Sequence, residues 1–234
     1  MDENILDFLM YSNLGRNKFY KGTYASNELN SSKIHISNFN KSKCIGFICN
    51  TLNRNQTNKV GHWLGLYVKV ESGLKVVHVK FIDSYKIPYV SYGHSIVSYI
   101  ARLREIALNE KVRFKFEDNP FRLQSNSTNT CGIYCIYGLT KLAKCNSILL
   151  KTIFSKFNKN LFSKNDLEMV KYAIRIWPKR FCSDIFSTKK GVFFCPKKLF
   201  KSHKCLNKCR CGNNCCSNNK NKQYISTHVK YLLT

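Results

Sequence analysis

The chain is short of acid. It carries 13 Asp and Glu against 39 Lys and Arg in 234 residues, for a formal net charge of +26 at pH 7. After Asp184 there is no acidic residue at all, while eleven Lys or Arg follow it. A codon bias that raises Lys and Asn would raise Glu as well, yet Glu is scarce. The imbalance points to a polyanionic partner, with DNA as the expectation.

Other absences narrow the class. No apolar run approaches the roughly 20 residues needed to span a bilayer, so no membrane partner is expected. The start, Met1-Asp2-Glu3-Asn4, has no basic n-region of a signal peptide. An intracellular setting is expected, and there the 12 cysteines remain reduced thiols. No internal repeat is visible. Hydrophobic residues make up 44% of the chain. That excludes a disordered protein and allows one sizeable core with a small appendage.

Periodicity gives the elements. Apolar residues at Ile5, Leu6, Phe8, Leu9 and Leu14 predict a helix over Asp2–Leu14. Phe19–Phe39 reads as polar and turn-rich. Strands are expected at Lys43–Thr51, Val60–Val70 and Leu74–Ile82, the last two joined by a turn at Glu71-Ser72-Gly73. A helix over Tyr92–Leu108 and a strand around Val112, Phe114 and Phe116 follow. Further helices are expected at Cys131–Cys145, Ile148–Phe157 and Asn165–Trp177. The chain thus divides into an α+β domain at 1–184 and a basic, Cys-rich extension at 185–234.

Four residues carry an acyl-transfer inventory. Cys131 follows the cap-rich stretch Asn126-Ser127-Thr128-Asn129-Thr130 and opens a helix. A helix N-terminus offers positive dipole charge and free N–H groups, and both stabilise the reactive thiolate. On spacing alone, Cys131 reads more readily as one more buried thiol. His62, beside Trp63 at a strand start, is the candidate base. Asp83 closes the next strand at Phe81-Ile82-Asp83, where a hairpin would bring it to His62 to fix the imidazole tautomer. Gln124, seven residues before Cys131, offers an amide to an oxyanion.

Together these residues resemble adenain, the adenovirus maturation protease, and the wider group of proteases that deconjugate SUMO and ubiquitin-like proteins. The matching runs are Gly22-Thr23-Tyr24, Gly61-His62-Trp63, Asp83 at a strand end, and Gln124-x6-Cys131-Gly132, spread over Phe19–Lys144. The resemblance implies a papain-like fold of the adenain type, a mixed small sheet packed by helices. It implies a cysteine endopeptidase with a Cys131–His62–Asp83 triad and Gln124 in the oxyanion hole. Trp63 and Gly132 would border a narrow cleft that favours Gly near the cut. It also implies capsid or core precursors as substrates, DNA as an activator, and a monomer. The expected setting is the virion and the host cell, in the nucleus or a cytoplasmic assembly site.

Two departures stand out. Adenain has Glu where this chain has Asp83, and Asp is the choice of the deconjugating proteases. Adenain's activator peptide joins a cysteine shortly before the oxyanion-hole Gln, whereas Lys111–Arg122 has none. A deconjugating protease is the alternative enzyme, and a non-catalytic DNA-packaging protein is the alternative of another class.

The extension holds six cysteines between Cys195 and Cys216. Cys205-x3-Cys209-x-Cys211-x3-Cys215 could supply four thiolates to a structural zinc. A loose thiol-rich tail is the competing reading. Lys197, Lys198, Lys201, Lys204, Lys208 and Arg210 lie among these cysteines and suit phosphate contacts. No cofactor is expected for the chemistry itself.

Overall fold

The protein is described here by a computed structural model, which covers residues 3–14, 19–37, 39–56, 61–145 and 149–176. The elements run α1 (Glu3–Leu14), β1 (Tyr20–Tyr24), β2 (Lys43–Asn50), β3 (Trp63–Glu71), β4 (Val76–Ile82), α2 (His94–Asn109), β5 (Arg113–Asp118), α3 (Cys131–Lys144), α4 (Leu150–Ile153) and α5 (Phe162–Ile176). The fold is α+β, a five-stranded mixed sheet in the order β1-β2-β3-β4-β5, packed by helices.

The two central pairings are antiparallel. Cys49 faces Leu64 across β2–β3, and Gly65 faces Ile82 across β3–β4. Each edge pairing is parallel, β1 with β2 and β4 with β5, and the second is reached through the α2 crossover. Alternation along β3 divides the interior. Leu64, Leu66, Val68 and Val70 face one apolar layer, shared with Ile96, Tyr99, Ile100 and Leu103 of α2. Trp63 and Tyr67 face the other, built with Leu6, Leu9, Tyr134, Cys135 and Leu139 of α1 and α3. A period of two on the strand therefore gives the sheet two buried faces.

Helix α3 lies close on the sheet because it is small where it touches. An added Cβ at Gly138 would sit 2.6 Å from Ile82 Cδ1, and one at Gly132 would sit 2.7 Å from Leu6 Cδ2. A side chain at Gly138 would push α3 away from β4, and one at Gly132 would push the turn that carries Cys131 away from α1. The helix is buried on all sides from Cys131 to Thr140, which fits its nearly continuous apolar run.

Three elements differ from the sequence expectation. The turn-rich stretch after Phe19 contains strand β1, bent at Gly22 (φ 112°), with its register shifting between Tyr20 and Thr23. That bend lets Tyr20 and Thr23 both donate to Asp7 Oδ1, at 2.7 and 2.6 Å, and so ties α1 to the sheet edge. The helix expected over Ile148–Phe157 contracts to the single turn of α4. Helix α5 starts at Phe162, ahead of the expected Asn165. The proposed 184/185 domain boundary lies outside the described residues. Among the described residues, no helix is long and apolar enough to cross a membrane.

Candidate active site

Cys131 is the first residue of α3, with Thr130 as its N-cap. The Thr130 carbonyl accepts the N–H groups of Ile133 and Tyr134 at 2.9 and 3.2 Å. The N–H groups of Cys131 and Gly132 precede Ile133, the first donor within the helix, so helix geometry leaves them available to a ligand. Cys131 is 7% exposed, a thiol at the floor of the site rather than on its rim.

His62 directly precedes β3. Its backbone is clamped to the end of β2, since Thr51 N–H donates to the His62 carbonyl and His62 N–H donates to Thr51 Oγ1, both at 2.9 Å. The ring lies 4.7 Å from Tyr85 and 6.3 Å from Tyr92, centroid to centroid. Its Nε2 is 2.7 Å from Asp83 Oδ1. A carboxylate only accepts, so Nε2 carries the proton there. That leaves Nδ1 for the Cys131 thiol, which is hydrogen-bonded to this imidazole.

Asp83 is fully enclosed, and each of its oxygens is occupied. Oδ1 also accepts the Tyr85 N–H at 2.9 Å. Oδ2 accepts the Ile87 N–H at 2.6 Å and the Tyr92 hydroxyl at 2.8 Å. The Asp83 N–H is held by Asn119 Oδ1 at 2.9 Å. Burial pushes this carboxyl up, but the His62 hydrogen bond and charge outweigh it, with help from the Tyr85 N–H and the Tyr92 hydroxyl. The net direction is down. Asp83 is therefore a fixed anion.

The thiol and imidazole shift in opposite senses. Burial pulls His62 down, yet the bonds and charges of Asp83 and Cys131 raise it to about 9. Burial pushes Cys131 up, yet the imidazole and the Trp63 backbone N–H carry it below the usual thiol range. A raised imidazole facing a lowered thiol favours the thiolate–imidazolium form over two neutral groups, and the shifts belong to the coupled pair. Cys135, one turn further along α3, is the contrast. Burial drives its thiol far upward, and it donates to the Trp63 carbonyl at 3.4 Å. It is an inert core thiol.

Gln124 is buried and fixed in orientation. Its Nε2 donates to the Thr128 carbonyl at 2.5 Å, and its Oε1 accepts the Ser84 hydroxyl at 2.5 Å. A carbonyl cannot donate, so the amide face toward Thr128 is the NH2 group, which keeps one further hydrogen. The backbone N–H of Gln124 and that of Leu123 both donate to the Ser84 carbonyl, at 3.0 and 2.8 Å. Ser84 thus links the strand end carrying Asp83 to the loop carrying Gln124.

Trp63 and Gly132 sit together, with Trp63 Cδ1 3.4 Å from the position of a Cβ on Gly132. Tyr85, Tyr92, Asn119 and Asp166 were missed by sequence reasoning, and Asp166 organises the loop before Cys131. The candidate zinc ligands Cys205, Cys209, Cys211 and Cys215 lie outside the described residues, as do Lys197, Lys198, Lys201, Lys204, Lys208 and Arg210. Among the described residues, no group of three or more His, Cys, Asp or Glu side chains is placed to hold a metal ion.

No protein-family model matches the chain, and no curated protein matches it. Solved structures do. A crystal structure of an ASFV protease aligns at 14% identity and a TM-score of 0.49, covering 74% of this chain and 65% of that one. A de-sumoylating protease aligns at 15% identity and a TM-score of 0.43, covering 75% and 80%. The SUMO protease Ulp1, with its catalytic cysteine oxidised to a sulfenic acid, aligns at 13% identity and a TM-score of 0.37, covering 74% of each chain. The chain spans less than two thirds of the ASFV protease, 65% in one structure and 42% in another.

Proposed function

We propose that this chain is a cysteine endopeptidase working through Cys131, His62 and Asp83. One observation carries the reading. A helix-start thiol is hydrogen-bonded to an imidazole whose far nitrogen lies 2.7 Å from a buried carboxylate. This arrangement supports the roles of nucleophile for Cys131, base for His62 and orienter for Asp83.

The Cys131 thiolate attacks a peptide carbonyl carbon, and the C–S bond forms as charge moves to oxygen. The Cys131 N–H and the remaining Gln124 amide hydrogen receive that oxyanion. His62 delivers the Nδ1 proton to the amine nitrogen, and the C–N bond breaks. Water then attacks the thioester, with its proton taken by His62. Collapse releases the acid and restores the thiolate. Asp83 remains ionised throughout and holds the ring.

In its finer form, the reading is a viral maturation protease. It would cut capsid or core precursors near Gly and be assisted by DNA bound to the basic chain. The motif resemblance and the +26 charge support this. Asp83, in place of adenain's Glu, favours a second reading: a protease that deconjugates a ubiquitin-like tail. A proteome-derived peptide library and a panel of Gly-Gly-linked ubiquitin-like conjugates separate the two. Internal cleavage of peptides supports maturation. Cleavage confined to the conjugates supports deconjugation.

A further inference from the structure

Helix α5 buries an acid that the triad does not use. Asp166 is completely enclosed. Its Oδ2 accepts the Ser125 N–H at 3.0 Å and the Thr128 hydroxyl at 2.9 Å. Its Oδ1 accepts the Thr130 hydroxyl at 2.7 Å and faces the Tyr134 hydroxyl at 3.1 Å. The Tyr134 hydroxyl also reaches the Leu123 carbonyl at 3.1 Å, so its one hydrogen serves one acceptor at a time. These donors are an N–H and hydroxyls, none of them a cation. A carboxylate enclosed this way is expensive to bury, and its hydrogen bonds are what offset that cost.

The donors are not scattered. Ser125, Thr128 and Thr130 lie in the six-residue span that joins Gln124 to Cys131. Thr128 offers its carbonyl to the Gln124 amide, and Thr130 caps the helix that Cys131 opens. The neighbouring Asn165 donates Nδ2 to the Leu123 carbonyl at 3.1 Å, so α5 grips the loop on both sides of Gln124.

We propose that Asp166 is a positioning residue for the oxyanion side of the site: through Thr128 it aims the Gln124 amide, and through Thr130 it sets the first turn that presents the Cys131 N–H. This rests on the peptidase reading. The loop is polar and has no apolar anchor between Ser125 and Thr130. Without a common acceptor its hydroxyls would turn to water, and the Thr128 carbonyl would lose its fixed direction. Oxyanion stabilisation depends on donors that are already aimed, so such loosening acts on the transition state more than on substrate binding.

The test uses the full chain and a library peptide that wild type cleaves. Asp166→Asn keeps the shape and can still accept the Ser125 N–H. Thr128→Val removes one hydroxyl and serves if the first variant fails to fold. Each should lower kcat about tenfold or more, below the ~10²–10³ of losing an oxyanion donor outright, with KM little changed. Alkylation of Cys131 by iodoacetamide, which forms no oxyanion, should keep its wild-type pH profile. In a Gln124→Ala background either substitution should have little further effect.

Unchanged kcat in a folded variant overturns the proposal, as do losses that multiply fully with that of Gln124→Ala. A wild type that cleaves no more than Cys131→Ala removes the peptidase reading, and this proposal with it. A cleaving wild type with an indifferent Asp166→Asn removes only this one.

Discussion

Nε2 of His62 and Oδ1 of Asp83 lie 2.7 Å apart, on residues that a hairpin brings together from 21 positions apart in sequence. The β3–β4 register, Gly65 opposite Ile82, sets this spacing. A slip of one residue would turn Asp83 to the other face of the sheet.

Asp83→Asn should therefore lower kcat by about a hundredfold or more, toward the low end of general acid–base contributions, with little change in KM. The amide can no longer favour imidazolium. Steady-state kinetics on a cleaved peptide check this, and a pure KM effect would assign Asp83 to substrate binding. Tyr92→Phe, which removes one donor to Asp83 Oδ2, should give a smaller loss of the same kind.

The opposed shifts of His62 and Cys131 set the pH dependence. His62 is raised to about 9, so activity should fall on an alkaline limb near that pH, as the imidazolium that protonates the leaving amine is lost. Cys131 is depressed, so the acid limb should lie below an ordinary thiol's pKa of about 8.5, where the thiolate becomes protonated. In Asp83→Asn the window should narrow from both sides, with the alkaline limb moving down and the acid limb up. The limbs belong to the coupled pair and not to either residue alone. A single thiol-like rise near pH 8.5 would exclude a resting ion pair.

Gln124→Ala should cost about a hundred- to thousandfold in kcat, the scale of one oxyanion donor. It also leaves the Thr128 carbonyl and the Ser84 hydroxyl without their partner, so a modest fall in melting temperature should accompany it. No kinetic change would mean that another group stabilises the oxyanion.

The extension carries separate expectations. Purified chain should contain about one zinc if Cys205, Cys209, Cys211 and Cys215 form a four-ligand site. Metal-free, active protein by elemental analysis would exclude zinc. Binding to random-sequence duplex DNA should weaken steeply with salt, and removing residues after Asp184 should weaken it further while sparing cleavage. A flat salt response would remove the electrostatic argument.

The three residues of the candidate triad were legible as a set because each sits at an element boundary with a strong local signal. His62 opens an apolar run, Asp83 closes one, and Cys131 follows a cap-rich loop. What surrounds the triad was not legible. Tyr92 reads as the start of a helical pattern, yet it serves Asp83 from the loop before α2. Asp166 reads as the polar face of an amphipathic helix, but it is buried because its partners come from a loop far away in sequence. Strand β1 was hidden by its Gly22 bend and by a parallel pairing that no local hairpin announces. Long-range polar contacts leave no periodic trace, whereas burial of a strand or helix face does.

The central claim is tested most directly by incubating full-length wild type and Cys131→Ala with one proteome-derived peptide library and sequencing the new termini. The account predicts discrete internal cleavages with wild type, and none with a folded Cys131→Ala variant whose melting temperature is close to that of wild type. Cleavage at the same sites and rates by both proteins would contradict it.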